Sequence, residues 1–280
     1  GSSVSVVDSR VVGSSSFSGS SSVDLDGLTV TGDLRVDSRG SVALYSTRAA
    51  AGYLKIDSIK GESLDSSVSL EACVFDNSLS VVGGSSEGSS VSLSSVRVLG
   101  KHIDKASPLL LRTCVVEGSS VSVVDSRVVG SSSFSNGTGG LHVDGLACSG
   151  ALTVESKHSS VVIESLRSAG VTIKLQSSLQ SPDPTGTPGG SLQLHLVDAV
   201  ISGGLSVVSG AGAEDLLFDH VRVDGVTTLR AGGGDDVCRV LDSVFSQLAT
   251  FDGGAGSDQL VLSNNQFSSP PKLISFELVS

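Results

Sequence analysis

The sequence predicts an all-β fold: a right-handed parallel β-helix of about 22 residues per coil, in one elongated domain. Three observations predict it. Residues 1–18, GSSVSVVDSRVVGSSSFS, return letter for letter as 118–135. Short segments of alternating apolar and polar residues recur along the chain, as strands with one buried face require. Residues 209–274 divide without a gap into three units of 22 residues. A strand-rich unit of that size cannot bury its own apolar face, and stacking successive units into a solenoid supplies the cover. The right hand follows from the general preference of parallel crossovers.

Composition agrees. Gly is 34 of 280 residues, aromatics are 4%, and Met and Trp are absent. Apolar content rests mostly on Val and Leu. Val suits a pleated, half-buried surface, and Gly and Ser suit tight turns. A hydrophobic content of 39% argues against disorder.

The first 186 residues form a duplicated coil block, 1–117 and 118–186. Beyond the exact copy, VDLDGL (23–28) answers LHVDGL (141–146), GDLRVDS (32–38) answers GALTVES (150–156), and SVALYSTR (41–48) answers SVVIESLR (160–167). Within the block, strand-like segments recur as VSVVDS at 4 and 121, VDLDG at 23, LKIDS at 54, VSLEA at 68, VSLSS at 91, LHVDG at 141 and VVIES at 161. Loops such as KHIDKASP and QSSLQSPDPTGTPGG interrupt the spacing. Residues 187–267 are regular 22-residue coils, which put Leu194, Leu216, Cys238 and Leu260 in one column. Leu196, Phe218, Val240 and Leu262 form a second column, and Ile201, Val223, Phe245 and Phe267 a third. Residues 268–280 break the pattern with Pro270 and Pro271 and read as a C-terminal cap. Roughly twelve coils follow, spaced near 4.8 Å. The chain opens mid-pattern at Val4 without an initiator Met or signal peptide, which reads as a fragment of a longer array.

Charge narrows the partners. A net charge of −11 and a pI near 4.7 argue against nucleic acid and against an anionic membrane surface. No apolar run approaches the length of a membrane span. The four cysteines, Cys73, Cys114, Cys148 and Cys238, lie far apart with no CxxC pair and no His cluster. They read as small buried thiols, with disulfides as the alternative, and not as a zinc site. Asn136-Gly137-Thr138 is a glycosylation sequon that matters only in a eukaryotic secretory pathway. His102, His142, His158 and His195 are scattered and read as surface residues.

Two columns carry candidate chemistry. GGAGSDQLV (253–261) fits the calcium-binding nonapeptide G-G-x-G-x-D-x-U-x, with AGGGDDVCR (231–239) and SGAGAEDLL (209–217) as its equivalents. Stacking aligns Glu214, Asp236 and Asp258, and a calcium ion held by these oxygens would relieve their repulsion. The alternative is that the glycines serve tight corners and the carboxylates splay into solvent. Calcium rolls repeat every nine residues and this motif recurs every 22, which favours the corner reading. The second column is Asp198, His220, Asp242 and Asn264, whose side chains are expected to bond to the backbone of the next coil. A catalytic reading would gather Asp219, His220, Asp235, Asp236 and Asp242, as in β-helical polysaccharide lyases and hydrolases. The Asn-x-Asp, Asp-Asp and Gly-His-Gly constellation of pectinase-like hydrolases is not in the sequence.

The VSVVDSRVV and LHVDGL coils of residues 1–186 resemble protozoan surface proteins of the dispersed gene family. The GGxGxDxL coils of 187–267 resemble β-helix arrays of giant bacterial surface proteins. These resemblances imply a secreted or cell-surface module, structural or adhesive, with no catalytic residue carried over. The reading is therefore a non-enzymatic solenoid with a glycan or cell-surface partner and, at most, calcium as a cofactor. The alternative is a carbohydrate-active enzyme or a glycan-binding β-helix.

Overall fold

The computed structural model describes residues 3–19, 22–38, 41–56, 67–82, 90–98, 112–118, 120–128, 131–136, 140–157, 160–176 and 192–279. Among them there is no helix, and the strands of successive coils pair in parallel. The chain divides into two compact units, Gly1–Gly140 with Gly145–Gly150, and Leu141–Asp144 with Ala151–Ser280. The fold is a parallel β-solenoid.

In the first unit, the leading strands of successive coils are Ser3–Val7, Ser22–Asp26, Ser41–Tyr45, Ser67–Glu71, Ser90–Ser94 and Ser120–Val124. Their register stacks Val4, Val23, Val42, Val68, Val91 and Val121 in one column. Val6, Leu25, Leu44, Leu70, Leu93 and Val123 form the next inward column. Val23, Leu25, Val42, Leu44, Leu70, Leu93, Val121 and Val123 are buried. Each such side chain contributes roughly 1.5–3 kcal/mol over leaving it exposed. Register repeats here, whereas spacing does not: Ser3, Ser22 and Ser41 are 19 apart, Val42 and Val68 are 26 apart, and Val91 and Val121 are 30 apart. The 26-residue step encloses 57–66, and the 30-residue step encloses 99–111 with the KHIDKASP segment; both lie outside the described residues. Residues 177–190 of the second loop, His102, His158, and Gly137 and Thr138 of the sequon lie outside them as well.

In the second unit, the leading strands are Leu141–Asp144, Val161–Glu164, Leu192–Val197, Glu214–Asp219, Val237–Leu241, Gln259–Ser263 and Leu278–Val279. The three expected columns are present: Leu194–Leu216–Cys238–Leu260, Leu196–Phe218–Val240–Leu262 and Ile201–Val223–Phe245–Phe267. Phe245 stacks on Phe267 with ring centroids 5.1 Å apart and meets Phe251 edge-on at 5.9 Å. Pro270 and Pro271 stand between the strands Gln266–Phe267 and Lys272–Ile274. The segment read as a cap continues the stack: Lys272–Ile274 pairs with Ala249–Asp252, and Leu278–Val279 pairs with Gln259–Ser263.

Two sequence expectations need correction. The expected dozen coils reduce, among the described residues, to about eight with three separate strands, four beginning at Ser3, Ser22, Ser90 and Ser120 and four at Leu192, Glu214, Val237 and Gln259. In the other four the later strands run together as Arg48–Ile56, Val74–Val82, Ala147–Lys157 and Arg167–Gln176. Runs such as AAAG and CSGA put small residues at the bend and let the backbone pass through it extended. The segment LKIDS is not a leading strand. Leu54 lies inside Arg48–Ile56 and pairs with Val36 and Val81, so its alternation belongs to another side of the same coil.

The exact duplicate shows what stacking contributes. Both copies fold alike, with Asp8 and Asp125 in the same left-handed conformation, φ 48° and 47°. Phe17 is half-buried on the first coil, whereas its copy Phe134 is 0% exposed. Identical residues thus differ only in how many coils cover them. Phe134→Ala is expected to cost about 3–5 kcal/mol and Phe17→Ala less than half of that, read by urea unfolding of both variants. Equal costs would mean that the coils do not stack in this order.

Candidate functional site

Each leading strand ends in a corner whose first residue has positive φ. In the first unit these are Asp8, Gly27, Ser46, Ala72, Ser95, Asp125 and Gly145, and in the second Ser165, Asp198, His220, Asp242 and Asn264. A non-Gly residue there costs on the order of 1–3 kcal/mol and persists only where its surroundings enforce it. The enforcement comes from a backbone ladder. The N–H of Asp8 donates to Asp26 O, that of Gly27 to Tyr45 O, that of Ser46 to Glu71 O and that of Ala72 to Ser94 O. In the second unit, Asp198 donates to Asp219 O, His220 to Leu241 O and Asp242 to Ser263 O. The expectation for Asp198, His220, Asp242 and Asn264 was right about location and wrong about the atoms. The backbone N–H groups of Asp198, His220 and Asp242 join the coils, and the His220 side chain is 61% exposed.

The next position along points inward and carries the side-chain ladder that sequence reasoning missed. Ser243 Oγ accepts the N–H of Val221 at 3.0 Å, and Asn265 Oδ1 accepts the N–H of Ser243 at 2.9 Å. Asn265 Nδ2 donates to Val240 O at 2.7 Å. The signal was a polar residue directly after the corner, as in the pairs Asp242-Ser243 and Asn264-Asn265.

At the opposite end of the leading strands lies the column of calcium candidates. Glu214, Asp236 and Asp258 are 2%, 0% and 2% exposed, so they do not splay into solvent. The corner reading therefore fails for the carboxylates. It holds for the glycines: Gly232 and Gly254 have φ of 107° and 98°, and a Cβ on either would lie 1.9 Å from the carbonyl oxygen of the glycine stacked on it. The carboxylates form a ladder of their own. Asp236 Oδ1 accepts the N–H of Glu214 at 2.8 Å, Asp258 Oδ1 that of Asp236 at 2.9 Å, and Glu277 Oε2 that of Asp258 at 2.5 Å. Glu277 escaped the sequence reading because it follows Asp258 by 19 residues, against 22 for the preceding steps.

One oxygen of each aspartate is thus committed, and Oδ2 of Asp236 and of Asp258 is sealed from solvent without a hydrogen-bond donor. Burial raises the Asp236 pKa to about 8, with further upward pressure from a hydrogen bond to the Glu214 carboxyl. Asp258 is also raised, by burial first and then by the charge of Glu277. A proton on Asp236 Oδ2, donated to Glu214, satisfies both carboxyls. A calcium ion bound in this column would have to displace that proton.

The five catalytic candidates do not meet. Asp219, His220 and Asp242 offer ligand atoms within 4.8 Å of one another, and Asp219 Oδ1 lies 2.7 Å from His220 Nδ1. Asn264 Nδ2 donates to Asp242 Oδ1. Asp235 and Asp236 sit at the other end of Val237–Leu241, five residues or roughly 16 Å away. Asp235 Oδ1 is occupied by the N–H of Ser257 at 2.9 Å. The first group could hold a divalent cation or orient the imidazole as an exposed base. The second is part of the coil-to-coil bonding.

Cys73, Cys148 and Cys238 are buried thiols, as the sequence implied. Burial pushes the Cys73 thiol up to about 11, and that of Cys238 upward as well. Cys114 lies in the strand Arg112–Gly118. No protein-family model matches the chain, and no curated protein or solved structure matches it either.

The raised Asp236 pKa sets the sign of a pH effect. A carboxyl protonated in the folded state and ionised in the unfolded one contributes stability that is complete below about pH 4 and lost as pH rises toward 8. The melting temperature is expected to fall between pH 5 and pH 8, and Asp236→Asn to flatten that slope, as read by thermal melts across roughly that range. A slope unchanged in Asp236→Asn would place the titration elsewhere. With the proton in place, millimolar calcium or EDTA at pH 7 is expected to leave the melting temperature where it is. A calcium-dependent rise of several degrees would identify the column as a metal site.

Proposed function

We propose that the chain is a non-enzymatic structural and adhesive module of a secreted or cell-surface protein. The observation that carries this reading is where the polar groups go. The side chains of Asp236, Asp258 and Glu277, with Ser243 and Asn265, bond one coil to the next. These are residue types from which an enzyme would build a cleft, and here they hold the stack together. The likeness of residues 1–186 to dispersed gene family proteins, and of 187–267 to giant bacterial surface proteins, supports the surface location. A protein that works outside the cell by presenting a surface needs a rigid repeat more than a reactive centre.

A second reading rests on the Asp219–His220 pair beside Asp242, which would make the chain a carbohydrate-active enzyme. The two readings separate on incubation with acidic and neutral polysaccharides, with and without calcium. Release of new reducing or unsaturated ends, abolished in His220→Asn, would establish the enzyme. The expected outcome is no release from any substrate, with the polysaccharide recovered at its original length.

A further inference from the structure

We infer that the first unit carries a binding row for a linear anionic polysaccharide, formed by Arg10, Arg48, Arg97 and Arg127. The inference rests on the adhesive reading above and names its partner. The four arginines are far apart in sequence, and stacking brings them into one column. Arg10 pairs with Thr29, Thr29 with Arg48, Arg48 with Val74, Val74 with Arg97, and Arg97 with Arg127. All four occupy the same place, two residues after the positive-φ corner, and all four side chains are exposed. At one strand spacing per coil the charges fall at roughly 0, 10, 19 and 24 Å along the stack. A protein of net charge −11 thus sets four of the six arginines of this unit in single file.

Internal pairing does not explain three of the four positions. Among the described residues, Arg10, Arg97 and Arg127 make no ion pair, whereas Arg35 is held by Asp37 at 2.8 Å. Arg97 and Arg127 stand directly opposite each other on neighbouring strands, an arrangement that destabilises a sheet unless a counter-charge lies over it. The corner column beside the row has Asp8 and Asp125 near its ends and Ser46, Ala72 and Ser95 between, so no corner carboxylate stands in the coil of Arg97.

The shape of the row selects the ligand. Guanidinium forks bind carboxylate and sulfate groups in a bidentate manner, and a file of them fits a chain with charges at regular intervals. Single-stranded nucleic acid would need aromatic platforms for its bases, and none of these positions is aromatic. Duplex DNA would bring a broad, dense phosphate surface against a chain that is acidic overall. An extended polysaccharide bearing carboxylates or sulfates meets neither obstacle. The second unit repeats the device on a smaller scale, with Arg167 and Arg222 on either side of Val200.

The test uses the full chain with heparin and polygalacturonate as probes, dextran as the neutral control and oligo-dT as the nucleic-acid control. Binding to at least one acidic polysaccharide is expected, with affinity falling roughly fiftyfold between 50 and 200 mM NaCl if four charges are engaged. In the triple variant Arg10→Gln, Arg97→Gln, Arg127→Gln, binding at low salt is expected to be lost or to retain only about a threefold salt dependence. Arg35→Gln is expected to bind as the parent does. Circular dichroism melts of all variants separate lost binding from lost fold, and the single variant Arg97→Gln gives a graded effect should the triple one unfold. Undiminished binding by a folded triple variant, oligo-dT bound in preference to both acidic polysaccharides, or no binding to any probe would each overturn the row. None of these outcomes touches the non-enzymatic reading, which fails only if new chain ends are released.

Discussion

Everything in this molecule depends on the parallel backbone hydrogen bond between one coil and the next. A strand of four to six residues has no stability alone, and a coil of three strands cannot shield its own Val and Leu side chains. Once a second coil is laid on the first in register, each N–H finds a carbonyl and each inward side chain finds its equivalent. The core is therefore a set of columns, and a column accepts Val, Leu, Phe or Cys so long as the backbone register is kept. Leu216, Cys238 and Leu260 share one such column without any rearrangement of the strands around them.

Much of this was legible because the constraint acts on sequence directly. Stacking in register forces like residues to recur at like positions, so the columns through Leu194, Leu196 and Ile201 could be read by writing the coils beneath each other. The same logic failed where coil length varied. A 22-residue frame cannot find a step of 19, so Glu277 went unnoticed at the end of the carboxylate ladder. Alternation of apolar and polar residues does not say which side of a coil a strand occupies, so LKIDS was placed on the wrong one. Strands running through a corner, such as Arg167–Gln176, also look like two strands when small residues mark the bend.

The carboxylates were harder, since residue type and spacing cannot distinguish three arrangements of one column. Glu214, Asp236 and Asp258 could have pointed outward, enclosed a cation or bonded to the backbone. The deciding quantity is burial. A carboxylate sealed from water needs N–H donors, a counter-charge or a proton. The N–H groups of the neighbouring coil take one oxygen of each aspartate, and a proton serves the Asp236–Glu214 pair. The device depends on register and not on coil length, since the last step, from Asp258 to Glu277, is 19 residues where the others are 22.

The corner ladder has a consequence for how this chain can change. The coils are joined there through backbone atoms, and the side chain at that position points away from the bond it helps to make. Asp, Gly, Ser, Ala, His and Asn all occupy the position within this one protein, and at Asp8, Gly27, Ser46, Ala72, Ser165, Asp198, His220 and Asp242 the same N–H reaches the same kind of carbonyl. A row of sites that the fold leaves chemically unassigned runs beside a row, two residues on, that carries arginine in four coils of the first unit. New surface properties can thus be written along one side of a unit, one coil at a time, by duplication and substitution, with no renegotiation of the core.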